Sequence, residues 1–264
     1  MKIFRFIGMA LFAILMCVNL SSCSSSDDDP TEEPEEGGVI VSGKKIVKFI
    51  TESGDWKETW LFKYDNKGRL IEAIDTDENN GTIEDSSTHR FAWGDDAIIV
   101  KSDYKKESEI YTIKNELLQN CNDGASYSYN QSNRINYLSH KGFNGSAIAI
   151  WEGDKLVAYS EDDTDFTLTY EKDCKKGYSP LFLFLYIYDY ISEPLLLAHP
   201  EILGMRTSQL PISVTTKGNS SYNKTNISTI TYEFDKEGYI SRIVEKHDGN
   251  IYASDTYTYT LTWE

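Results

Sequence analysis

Tyr64-Asp65-Asn66-Lys67-Gly68-Arg69-Leu70 is the stretch whose reading decides the fold. An aromatic residue ends one strand, Asp65 offers its side-chain oxygen to the turn, Gly68 accepts a positive φ, and Leu70 starts the next strand. Phe234-Asp235-Lys236-Glu237-Gly238-Tyr239-Ile240 keeps the same spacing. Tyr129-Asn130-Gln131-Ser132-Asn133-Arg134-Ile135 repeats it with Asn133 in the glycine place, a substitution the left-handed region tolerates. Trp93-Gly94-Asp95-Asp96-Ala97-Ile98 and Trp151-Glu152-Gly153-Asp154-Lys155-Leu156 are versions one residue shorter.

Outward from these turns the pattern has period two. Trp60, Phe62 and Tyr64 alternate with Leu61 and Lys63; Phe166, Leu168 and Tyr170 with Thr167 and Thr169; Tyr257, Tyr259, Leu261 and Trp263 with Thr258, Thr260 and Thr262. Successive side chains of a strand point to opposite faces, so these are half-buried strands with a polar outer face. Turns this tight join only antiparallel neighbours. The reading is all-β: a large antiparallel meander of repeated hairpins. Open sheets rarely exceed about ten strands without curling or closing, so the sheet is expected to be strongly curved or barrel-like. One segment breaks the period. Residues 179–204 carry Pro180, a run from Leu181 to Ile191, then Pro194, Pro200 and Gly204. They predict a short helical insertion, irregular as far as residue 211, that plugs the open side, with Leu181, Phe184, Leu185, Tyr188 and Ile191 on one helical face.

The N-terminus reads as an address. Lys2 and Arg5 precede an apolar stretch from Phe6 to Val18, then Leu20-Ser21-Ser22-Cys23. This is the pattern of a lipoprotein signal over residues 1–22, with Cys23 as the acylated residue that anchors the chain to a membrane. Residues 23–43 follow as a flexible acidic tether, with seven acidic residues between 27 and 36. The domain is expected to span 44–264. Formal charge over the 264 residues is −16, and loss of Lys2 and Arg5 takes it to −18. The tether's share leaves the domain with 24 basic and 35 acidic residues, a net −11. That sign excludes nucleic acid, which is bound by neutralising phosphates.

The lipobox, the serine-then-aspartate tether and the repeated Tyr-Asp-x-x-Gly-Arg-Leu hairpins together resemble a Bacteroidetes lipoprotein family of unknown function with a porin-like β fold. Ser208-Gln209-Leu210-Pro211 resembles a late element of that family. The resemblance implies a barrel-like domain and an outer-membrane lipoprotein exposed at the cell surface, with periplasm-facing as the alternative. It carries no active residues to transfer. Charges such as Lys63, Glu72 and Arg242 in the strands speak against a lipid-facing wall.

Sequence motifs for chemistry are thin, and no catalytic residue or cofactor is assigned. His89, His140, His199 and His247 stand far apart. Ser42-x-x-Lys45 and Ser221-x-Asn223 lack the Lys-Thr-Gly partner that a penicillin-binding-type site needs. Asp75, Asp77 and Asn79 offer oxygens at alternate positions and are weak metal candidates, but Asn80 and Ser86 stand where a calcium loop needs Gly and Glu. The simpler reading is a solvated hairpin tip at Asn80-Gly81. Cys121 and Cys174 could form a disulfide in an exported chain. The favoured expectation is a non-enzymatic binding module for a glycan or protein ligand. The alternatives are a structural accessory subunit of an envelope complex and a hydrolase with an unrecognised site.

Overall fold

The computed structural model describes residues 43–142, 145–162, 164–174, 176–185, 191–218, 225–249 and 256–264. The signal, Cys23 and the tether as far as Ser42 lie outside them, as do residues 186–190, Ser221 and Asn223. Among the described residues sixteen strands form one closed antiparallel barrel in chain order. They are β1 Ile46–Ser53, β2 Trp56–Tyr64, β3 Leu70–Asn79, β4 Thr82–Trp93, β5 Ala97–Ser102, β6 Glu109–Lys114, β7 Leu117–Cys121 and β8 Ala125–Tyr129. The second half comprises β9 Ile135–His140, β10 Gly145–Glu152, β11 Lys155–Glu161, β12 Thr164–Asp173, β13 Gln209–Gly218, β14 Thr225–Phe234, β15 Ile240–Gly249 and β16 Thr256–Trp263. β1 pairs with β16 through Phe49 opposite Leu261, and Lys45 and Glu264 exchange backbone bonds of 2.7 and 2.9 Å. Closure removes the two sheet edges, which an open meander would leave exposed.

The quoted turn folds as read. Asp65 Oδ1 accepts the N–H groups of Lys67 and Arg69, both at 2.9 Å. Asn130 repeats this with Ser132 and Arg134, and Asp235 with Glu237 and Tyr239. Gly68, Asn133 and Gly238 all have positive φ, at 76°, 57° and 93°. These turns share one end of the barrel with both chain ends of the wall.

At that end the aromatic residues do more than pack. In seven of the eight hairpins, all but β5–β6, a ring late on the even strand donates to a carbonyl near the start of the odd strand. Tyr64 donates to Ile46, Trp93 to Leu70, Tyr129 to Leu118, Trp151 to Ile135, Tyr170 to Leu156, Tyr232 to Pro211 and Trp263 to Ile240, at 2.6–2.8 Å. The third motif copy departs in one respect. Phe234 has no donor and is 41% exposed, and Tyr232 takes its role two residues earlier.

The insertion enters the lumen from the same end. A 3-10 turn at Leu181–Phe184, a short helix α1 at Glu193–Ala198 and a second 3-10 turn at Pro200–Leu203 form a plug. Its two stems are joined by bonds from Cys174 N to Ser208 O and from Ser179 N to Thr207 O, both 2.7 Å. Of the residues expected on one helical face, Tyr188 lies outside the described ones, and Leu181 to Phe184 form a turn in which all four side chains are buried. Inside a lumen every side of a segment meets wall, so amphipathicity has no purpose there.

In the plugged half the wall is apolar inward, and its outer face mixes exposed aliphatic residues such as Leu61, Ile71 and Ile150 with charged pairs. Lys63 pairs with Glu72 at 2.6 Å, Lys57 with Glu78 at 3.1 Å, and Arg242 with Glu233 at 2.8 Å across neighbouring strands of the outer face. A lipid-facing wall would place such charges at a cost of several kcal/mol near the bilayer midplane. Cys121 and Cys174 correct the disulfide expectation: both are free and buried. One closes β7 and the other follows β12, at opposite ends of the barrel. Burial pushes their thiols up to about 12 and about 11.

Candidate binding site in the barrel mouth

The lumen end away from the plug is lined by inward positions of the strand halves farthest from the quoted turns. On these strands the inward register changes character along its length. β15 runs Ile240, Ile243, Glu245, His247, and β14 in the same direction runs Ile230, Ser228, Asn226. β2 and β3 pass from Phe62 and Ala73 to Glu58, Asp75 and Asp77.

Two cavities open here, of about 280 and 660 Å³. Glu58 and Glu193, the first residue of α1, line both. Rings lead into each. Along the larger one, Phe62, Trp60, His89 and Tyr104 succeed one another with centroids 6.3, 5.3 and 5.6 Å apart. Along the smaller one, Phe49, Tyr259, Tyr257 and His247 do so at 6.0, 6.4 and 5.4 Å.

Between them sits an acidic group. Glu58, Asp75 and Asp77 each offer an oxygen within 4.8 Å of the others. Of the sequence candidates, the structure brings Asp75 and Asp77 together, adds Glu58 from the neighbouring strand, and leaves Asn79 at the rim, where its Oδ1 accepts from Asn80. Asp75 and Asp77 lie in a strand and face the lumen, whereas the solvated tip is confined to Asn80 and Gly81, with φ of 50° and 74°. Burial, then the charges of Glu193, Asp75 and Asp77, push Glu58 up to about 9. Burial and the two aspartates push Glu193 up to about 7. Burial and Asp77 push Asp75 up to about 6. These oxygens are the described groups able to hold a hard cation.

The histidines do not converge on a metal. His199 belongs to the plug, where its Nε2 accepts the Leu70 N–H at 3.1 Å and its Nδ1 faces Glu201 at 2.8 Å. His89 is held by Ser102 and Ser87 at 2.8 and 3.2 Å, and burial lowers its pKa. His140 Nδ1 accepts from Gly142 N–H at 3.0 Å. His247 lies in the smaller cavity.

No family model and no curated protein matches the chain. Among solved structures it is similar to a porin-like protein from Bacteroides uniformis ATCC 8492, with a TM-score of 0.62 and 16% identity over 83% of this chain and 98% of that one. A porin-like protein from Bacteroides vulgatus ATCC 8482 aligns over 84% of this chain and 99% of that one, at 12% identity and a TM-score of 0.38. The first likeness defines the class: a closed antiparallel barrel of porin-like fold.

Proposed function

We propose that this chain is a lipid-anchored receptor of the outer membrane that binds a glycan in the mouth of a sealed barrel. The observation that carries the reading is the mouth itself: open cavities lined by ring faces and carboxylates over a floor of packed apolar plug. Ring faces stack on sugar rings, and carboxylates accept from their hydroxyls. Trp56 and Tyr104, 36% and 62% exposed, stand at the rim. A plug with this many buried apolar side chains argues for a receptacle and against a conduit. The anchor at Cys23 and exposure at the cell surface rest on the sequence pattern.

Calorimetric titration of the full chain with a panel of soluble oligosaccharides tests the reading. Binding that weakens at least tenfold in Trp56→Ala and Tyr104→Ala supports it. Absence of binding across the panel, or binding indifferent to both substitutions, rejects the lumen as a glycan site. Cys23→Ser should release the chain from membranes, and retention in the membrane fraction would reject the anchor.

A further inference from the structure

We propose that Ser228, His247 and Glu245 form a nucleophilic acyl-transfer centre in the smaller cavity, acting on a short-chain carboxylic ester. The proposal is independent of the glycan reading.

The three residues come from adjacent strands of one wall. Ser228 on β14 stands directly opposite His247 on β15, and Glu245 lies two residues before His247 on the same inward face. Ser228 Oγ is 3.0 Å from His247 Nδ1. His247 Nε2 is 3.5 Å from Glu245 Oε1, and Glu245 Oε2 accepts from Tyr259 OH at 3.0 Å. Asn226 Nδ2 also reaches Nδ1, at 3.1 Å. With the imidazole proton on Nε2, toward Glu245, Nδ1 presents its lone pair to the hydroxyl and the amide. That is the division of labour a nucleophilic serine needs: a base within hydrogen-bond reach, and an acid that orients the base through its other nitrogen. Which ring nitrogen serves as base is immaterial while the other carries the proton.

Burial sharpens the argument. Asn226, Ser228 and Glu245 are only 1, 3 and 4% exposed. Four polar side chains in place of the aliphatic residues found farther down the same strands cost desolvation that apolar packing would avoid. Asn226 Oδ1 is buried and has no hydrogen-bond partner, so the group is not simply closed upon itself. Asn226 and Thr216 are cross-strand neighbours on the same cavity wall, and in this proposal their side-chain N–H and O–H serve as the oxyanion donors.

In the first half-reaction Ser228 Oγ forms a bond to the ester carbonyl carbon while its proton passes to His247 Nδ1. The tetrahedral intermediate expels the alkoxide, which takes that proton and leaves as an alcohol. Water then attacks the acyl-serine, giving its proton to Nδ1. The acid departs as the proton returns to Ser228 Oγ. The cavity of about 280 Å³ limits the acyl group to a small one.

The test is covalent labelling of the full chain with a fluorophosphonate, mapped by peptide mass spectrometry, beside hydrolysis of p-nitrophenyl acetate. We expect a phosphonyl adduct on Ser228, none in Ser228→Ala, and labelling slowed about a hundredfold or more in His247→Gln, the usual contribution of a general base. No adduct on Ser228 in the wild-type chain, or an adduct formed equally fast in a folded His247→Gln, overturns the proposal. The wild-type map decides the matter alone if either variant fails to fold.

Discussion

Gly204 offers a measurement of how tightly the plug is seated. It ends the second 3-10 turn with φ of 61°, and a Cβ built there lies 2.0 Å from the Asn133 carbonyl oxygen and 3.1 Å from Arg134 Cα. Both neighbours are backbone of the β8–β9 turn, and Arg134 itself donates to the carbonyls of Gly204 and Arg206 at 3.2 and 2.5 Å. Neither side can yield by rotating a side chain. Gly153 has almost the same φ, 59°, with nothing within 4 Å of its Cβ position. Alanine therefore meets the same left-handed penalty at both sites, about 1–2 kcal/mol, and the difference between the two variants isolates the clash. Overpacking against a rigid neighbour adds about 1–3 kcal/mol. For a domain of this size 1 kcal/mol moves the Tm by about 2–4 °C. Gly153→Ala should lower it by about 2–8 °C, and Gly204→Ala by about twice as much. Thermal melting followed by circular dichroism, with urea unfolding as a check, supplies the comparison. If Gly204→Ala melts no lower than Gly153→Ala, the plug is not wedged against the β8–β9 turn and the account of the sealed floor is wrong.

Two further outcomes follow from the same geometry. The ring clamps predict that Tyr170→Phe, which leaves the Leu156 carbonyl without its 2.8 Å partner, costs about 1–3 kcal/mol, whereas Tyr137→Phe on the exposed outer face changes the urea midpoint negligibly; equal effects would show that the clamps add nothing. The pushed-up carboxyl of Glu58, at about 9, means that the folded state holds a proton the unfolded chain has released, so stability falls as pH rises from 6.5 to 9, by up to about 1.4 kcal/mol per pH unit; Glu58→Gln should flatten that slope, and an unaltered slope in the variant would remove Glu58 as its source.

The wall was legible from sequence because its information is local. Period two sets the strands, and an Asp or Asn followed by Gly or Asn sets the turns. Even the plug announced itself, since Pro180, Pro194 and Pro200 interrupt the alternation. Closure was not legible, because the β1–β16 register joins the two ends of the domain. The clamps were half visible: a ring ends each motif copy, but nothing in Phe234-Asp235 reveals that Tyr232 supplies the hydrogen bond. Glu58 meets Asp75 and Asp77 only through the β2–β3 register, and Glu193 only through the path of the plug. Ser228, Glu245 and His247 carried one signal that could have been read: polar residues at inward positions of strands whose other inward residues are Ile230, Ile240 and Ile243.

Two kinds of buried polar residue then separate by what they touch. In the plugged half their partners include backbone. His199 takes the Leu70 N–H, Tyr178 donates to the Leu197 carbonyl, and Arg134 donates to Gly204 and Arg206. Each closes a group that the irregular plug would otherwise leave orphaned, and burial there stabilises the fold. In the mouth His140 and Tyr111 likewise accept backbone N–H groups, from Gly142 and Ser192, but a second set has side-chain partners. Ser228 faces His247, Tyr259 faces Glu245, and Asp75 and Asp77 each keep a buried oxygen without a hydrogen bond. Backbone bonding cannot account for those residues, and the apolar half of the barrel shows that the wall can be built without them. These residues cost desolvation and close no backbone group, they collect in the mouth, and that is the ground on which the binding proposal stands.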